Sequence, residues 1–209
     1  MAARIDRVVT SGLFSIDGED HEVDNNIWLV GDDHEVAIID AAHDHRPIAE
    51  AVGDRTVTAI VCTHGHNDHI NAAVALSEAV NAPVVMHPDD TMLWAAVHPN
   101  RAVDNSLVDS QEIVVGASVL RVMHTPGHSP GGCCLYLEHD GVLFSGDTLF
   151  NGGPGATGRS FSDRPTILRS IAARLLDLPP STVVHTGHGD DTTIGAEAAG
   201  VLEALRDET

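Results

Sequence analysis

Thr63-His64-Gly65-His66-Asn67-Asp68-His69 packs four side chains able to bind a metal ion, His64, His66, Asp68 and His69, into seven residues. In an extended segment alternate side chains point the same way, so His64 and His66 aim at one point. A helix starting there turns Asp68 and His69 toward a second point, and one turn can serve two ions. Read without chemistry, the stretch is a polar strand-to-helix turn with Asp68 as its N-cap. The density of ligands favours the metal reading.

Three further residues have the same chemistry. His128 lies in His124-Thr125-Pro126-Gly127-His128-Ser129-Pro130-Gly131, where proline and glycine fix a tight turn. Asp147, in Gly146-Asp147-Thr148, has two carboxylate oxygens that can bridge two cations, and His188 sits between Gly187 and Gly189, which permit close approach of the backbone. Taken alone, each reads as an ordinary turn residue or surface histidine. Each also follows a predicted strand end, and with the first turn they make seven candidate ligands.

The elements that must present them alternate along the chain. Ile27 to Val30 and Val36 to Ile39, on either side of Gly31-Asp32-Asp33, predict a hairpin. A short helix from Pro47 to Val52, ended by Gly53, leads to a buried strand over Val57 to Cys62. Periodicity predicts helices over His69 to Val80, Asp89 to Val97 and Thr166 to Leu178. Strands are expected at Val84 to Met86, Ser118 to Met123, Cys133 to Leu137, Val142 to Phe144 and Thr182 to His185, followed by a last helix. Gly152 to Gly158 reads as a surface loop. Two strand-rich halves with helices outside predict two packed sheets sheathed by helices.

With 209 residues, 43% of them hydrophobic, the chain suits one core, so residues 1–209 are expected to form a single domain. A formal charge of −20 and the lack of any lysine argue against nucleic acid as a partner, because phosphate binding rests on cationic contacts. No apolar run approaches the ~20 residues of a spanning helix, so no membrane association is expected. Met1 to Thr10 has no secretory apolar stretch, which makes a cytoplasmic location the expectation. Homo-oligomerisation is left open. The three cysteines, Cys62, Cys133 and Cys134, all read as packing residues. Fourteen histidines against 3% aromatic residues point again to metal, although His124, His185 and most of the others read as core or surface.

Thr63 to His69, Thr125 to Gly131, Gly146 to Phe150 and Gly187 to Thr192, in this order, resemble the metallo-β-lactamase superfamily, and within it the glyoxalase II-like thioester hydrolases. The resemblance implies an α/β (α+β) fold, a four-layer αββα sandwich with the metals at one edge between the sheets. It implies His64, His66 and His128 as ligands of a first ion, Asp68, His69 and His188 of a second, Asp147 bridging both, and Asp40 supporting the ligands. The implied cofactors are two divalent metal ions, zinc first, with iron or manganese as alternatives. The implied activity is hydrolysis of an acyl or hydroxyacyl thioester of a low-molecular-weight thiol by a water that the metals ionise, with Asp68 as the catalytic residue orienting it. A thiol of pKa about 8.5 leaves readily as thiolate. Competing activities in the same family are a mononuclear iron persulfide dioxygenase using His64, His128 and Asp147, and a lactonase or β-lactamase. A non-catalytic metal-binding scaffold would keep the same histidines. Glyoxalase II proteins carry a C-terminal helical domain with basic residues for glutathione, whereas here the chain ends shortly after Gly187; the lysine-free composition suggests mycothiol as an alternative carrier, with Arg159 or Arg101 as its contacts.

Overall fold

In the computed structural model, which describes residues 2–208, the N-terminal segment forms a hairpin that the sequence reading does not anticipate before Ile27. β1 (Arg4–Ile16) and β2 (Glu19–Gly31) are thirteen residues each and pair antiparallel throughout. Asp17 and Gly18 close them with φ of 52° and 81°. Positive φ at both central residues is the type I′ turn that matches strand twist, and Asp-Gly is its sequence signal.

Asp32 then caps the next turn, its Oδ1 accepting from His34 N at 2.7 Å and Glu35 N at 2.8 Å. β3 (Glu35–Ile39), β4 (Thr56–Val61), β5 (Val84–Met86) and β6 (Asn105–Ser106) continue the sheet in sequential order, with parallel pairing from β3 onward. Parallel neighbours need crossovers, which α1 (His45–Val52), α2 (Asn67–Ile70), α3 (Ala73–Val80) and α4 (Thr91–Val97) supply.

The second sheet contains β7 (Glu112–Val115), β8 (Ser118–His124), β9 (Cys133–Leu137) and β10 (Val142–Gly146). A small ribbon follows, β11 (Leu149–Phe150) with β12 (Gly153–Pro154), and then α5 (Arg164–Arg174). β13 (Val183–Thr186), β14 (Thr192–Thr193) and α6 (Ile194–Asp207) complete the order β14-β13-β10-β9-β8-β7.

Period-two alternation sorts the apolar side chains into three layers. Ile27 and Leu29 of β2 pack with Ile38, Ile60, Ile48, Leu76 and Trp94 under α1, α3 and α4. Their neighbours Trp28 and Val30 face the other way, meeting Ile39, Val61, Leu120, Leu135 and Phe144 between the sheets. Met123, Tyr136 and Leu143 point outward again, onto Ile167, Ile171 and Val201 of α5 and α6. Helix, sheet, sheet and helix thus make the four layers of an αββα sandwich. Each fully buried Leu, Ile or Phe contributes roughly 1.5–3 kcal/mol to holding it together.

The helix expected from Pro47 begins at His45, the one expected from Asp89 begins at Thr91 after a 3-10 turn, and two others differ more. His69 to Val80 is interrupted, because Asn71 Oδ1 accepts from His43 N at 2.6 Å and Ala72 N donates to Ala41 O at 3.0 Å, which ends α2 before α3 begins. Thr166 to Leu178 instead begins at Arg164, where Asp163 caps Thr166 N at 2.8 Å, and the regular helix stops at Arg174. The three cysteines are buried and unpaired with one another.

Candidate metal centre

The loops that leave β3, β4, β8, β10 and β13 meet at one edge of the sandwich, and all seven predicted ligands come together there. His66 Nδ1 lies 3.0 Å from His64 Nε2 and 3.0 Å from His128 Nε2. Beside this trio, His69 Nε2 lies 3.1 Å from His188 Nε2 and 3.5 Å from Asp68 Oδ2, and His188 Nε2 is 3.3 Å from the same oxygen. Asp147 stands between the groups, Oδ1 at 3.3 Å from His69 Nε2 and Oδ2 at 3.5 Å from both His128 Nε2 and His188 Nε2.

The far side of four rings is fixed. Nδ1 of His69 donates to Asp40 Oδ2 at 2.9 Å, of His128 to Ala156 O at 2.8 Å and of His188 to Asp24 O at 2.7 Å. His64 Nδ1 lies 3.1 Å from Thr63 Oγ1, whose hydroxyl donates to Asp40. A proton on Nδ1 leaves Nε2 with its lone pair aimed at the centre. Asp40 also accepts from Thr63 N at 2.8 Å, so it does support the ligands, through His69 and the Thr63 turn.

The donor set fits metal ions. Two nitrogens each about 2.1 Å from one tetrahedral ion lie about 3.4 Å apart, close to the ring separations here. Burial pushes His64 and His66 down, His66 to about 3 with help from His128, so both are neutral, the form that binds a metal. At the other group burial also pushes His69 and His188 down, but Asp147 and Asp68 outweigh it. His69 rises well above its ordinary value and His188 to about 10. Burial raises Asp147, yet His69 and His188 hold it well below the carboxylate range. Asp40, Asp68 and Asp147 thus crowd two histidines that take up protons, and a divalent cation answers the same excess of negative charge. Oδ1 of Asp68, Oδ1 of Asp147 and Nε2 of His66 are buried without a hydrogen-bond partner.

Several contributors were not foreseen. Asn25 is fully buried, with Nδ2 3.2 Å from Asp68 Oδ2 and Oδ1 2.8 Å from His43 Nε2. The only sequence signal is an Asn-Asn pair opening an apolar run. The Gly152 to Gly158 segment, expected to be a surface connection, folds back: Gly153 and Pro154 pair with β11, and Ala156 O orients His128. Phe14 of the hairpin leans on His66 with ring centroids 5.3 Å apart. Asn67 ties that hairpin down, accepting from Ser15 N and donating to Leu13 O, each at 2.9 Å. A cleft of about 350 Å³ opens between Phe14, Val23, Asp24, Asp68, Asp147, His188 and Gly189.

Other expected residues lie elsewhere or are engaged. His124 stacks on His87 at 4.0 Å, and His185 on Trp28 at 4.1 Å while paired with Asp191. Arg101 holds Asp104 at 2.8 Å, and Arg159 holds Glu19 at 3.2 Å on the hairpin tip.

The family model described as metallo-beta-lactamase superfamily matches residues 22–188, which takes in the whole ligand set. The chain belongs to the metallo-beta-lactamase superfamily. Within the superfamily it is 32% identical over 190 residues to the hydroxyacylglutathione hydrolase GloC of Haemophilus influenzae, covering 82% of this chain and 89% of that one. A crystal structure of the B3 metallo-beta-lactamase BLEG-1 superposes with a TM-score of 0.77 at 29% identity, over 91% of this chain and 97% of that one. TTHA1623, solved in a di-iron-bound form, gives 0.74 at 32% identity, over 84% and 93%. Among the described residues no helix is long and apolar enough to cross a membrane.

Proposed function

We propose that this chain is a dinuclear metal-dependent hydrolase that cleaves acyl or hydroxyacyl thioesters of a small thiol. The observation that carries the proposal is the convergence of seven ligands into two groups that share Asp147. His64, His66 and His128 would hold one divalent ion, Asp68, His69 and His188 the other, with Asp147 touching both and zinc, iron or manganese all suited to the donors. When bound, such a pair supplies Lewis acidity and a water that ionises near neutral pH.

The chain's own groups do the rest. Asp68, held ionised beside His69, has its Oδ1 free of any partner and close to the cleft, so it can orient an attacking water. Phe14 and Val23 offer apolar contact to an acyl group on the hairpin side of the cleft. A thioester asks little more, because its thiol, with a pKa of about 8.5, departs as thiolate without a proton donor. The likeness to GloC supports this substrate class over lactams, and a complete second group supports a dinuclear site over one using His64, His128 and Asp147 alone.

A panel comprising a hydroxyacyl glutathione thioester, a lactone, a cephalosporin and a glutathione persulfide, given to metal-loaded protein, tests the proposal. Thioester hydrolysis is expected to dominate and to fall to background in Asp147→Ala. Hydrolysis of the lactam alone, or oxygen consumption with the persulfide, would overturn it.

A further inference from the structure

Asp90 is fully buried at the end of a single 3-10 turn, Pro88–Asp90, directly before α4. Its Oδ2 accepts from Gly65 N at 2.8 Å and from Ser129 Oγ at 2.7 Å, and its Oδ1 accepts from Gly131 N at 2.6 Å. Gly65 is the residue between His64 and His66, and Ser129 and Gly131 follow His128 in its turn. One carboxylate therefore ties together the two loops that supply the three-histidine group, although it belongs to neither.

We propose that Asp90 is a positioning residue that locks His64, His66 and His128 into metal-binding geometry. The inference rests on the ligand reading given above. His66 Nδ1 stands 3.0 Å from both His64 Nε2 and His128 Nε2, so the three nitrogens meet only if the two loops are held in register. Asp90 supplies such a tie from outside the ligand set. Three hydrogen bonds of 2.6 to 2.8 Å to one buried carboxyl group join the two loops. Two backbone N–H groups and one hydroxyl meet its two oxygens; burial pushes Asp90 up, and the bonds from Ser129, Gly131 and Gly65 work against that rise. The space is shaped for it too. A Cβ at Gly131 would stand 2.8 Å from Asp90 Cγ, and one at Gly65 3.0 Å from Asp90 Cβ, so any larger residue in either loop would push the clamp out.

Asp90→Asn is nearly isosteric, but its amide NH2 must face either the Gly65 or the Gly131 backbone donor, donor against donor. Ser129→Ala removes one of the three bonds and keeps both backbone bonds. Each change is made in wild type and in a His188→Ala background, which cripples the other group. Zinc affinity is read by chelator competition, and the site by the visible spectrum of the cobalt-substituted protein. Thermal unfolding of the metal-free forms is followed in parallel. Supporting residues of this kind typically govern metal affinity by about 10–100-fold. Asp90→Asn is expected to weaken the three-histidine site at least tenfold and alter its cobalt spectrum, with Ser129→Ala shifting both in the same direction by less. If Asp90→Asn does not fold, Ser129→Ala alone decides. Unchanged affinity and spectrum in the folded variants would overturn the proposal. So would an equal drop in thermal midpoint with and without metal. Wild-type protein that takes up no ion would instead refute the ligand reading itself.

Discussion

At Asp40 the chain leaves β3 with φ of 64°, a left-handed conformation uncommon outside glycine, and from there its carboxylate reaches both Thr63 N and His69 Nδ1. Both contacts are donors, so an amide at this position must turn its NH2 against one of them. Asp40→Asn is expected to let His69 carry its proton on Nε2, facing the centre, and to weaken the Asp68, His69 and His188 site by about 10–100-fold. Chelator competition measures this, and wild-type affinity in the variant would contradict it. The residues that the sequence discloses at this scale are those with their chemistry in a local motif: His64, His66, Asp68 and His69 crowd one turn, and His128, Asp147 and His188 each mark a strand end. Asn25 and Asp90 stay hidden because an asparagine in a strand and an aspartate before a helix have commoner explanations. Their role appears only when distant loops meet.

Among the elements, the segment after β12 has the most effect for its length. Gly155 packs so closely on the centre that a Cβ there would lie 1.8 Å from Asp147 O, and the next residue supplies the carbonyl that His128 Nδ1 holds. Gly155→Ala is therefore expected to lift the segment, free His128 to rotate, lower the thermal midpoint of the metal-free protein, and cut thioester turnover and zinc affinity at least tenfold. A variant with wild-type turnover would show that the carbonyl contact is incidental. The glycine-rich composition of this stretch correctly signals the absence of a helix, but backbone approach to a side chain leaves no trace in composition. The hairpin of β1 and β2 is the converse. Asp17-Gly18 announces it, yet its exposed outer face carries Ser11, Leu13, Glu22 and Asp24 and so lacks the clean apolar alternation that marks a half-buried strand.

Over the whole molecule the layer order follows from which side chains alternate, and the central strands are legible because both their faces are apolar. The ends of helices are less so: α2 breaks where Asn71 meets His43, a tertiary contact that overrides the period. Charge also acts at this scale. Although burial pushes His188 down, Asp147 and Asp68 raise it to about 10, above the roughly 6.5 of an unfolded histidine, and His69 is raised with it. The folded metal-free state thus holds these protons more tightly than the unfolded chain. That stabilisation is complete below about pH 6.5 and disappears as pH climbs through about 10. The melting temperature of metal-free protein is expected to fall between pH 7 and 10, and to fall less once zinc is bound. A flat or rising curve for the metal-free form would refute this. The interior has one more consequence, for the product of the proposed reaction. Burial pushes Cys62 and Cys133 far up and Cys134 to about 11, so none offers a thiolate at neutral pH. An enzyme that liberates a free thiol at every turnover would otherwise risk capturing it as a mixed disulfide under oxidative stress. With its own sulfur buried inside the sheets and no lysine side chain, the chain presents neither a cysteine thiolate nor a lysine amine to what it would release.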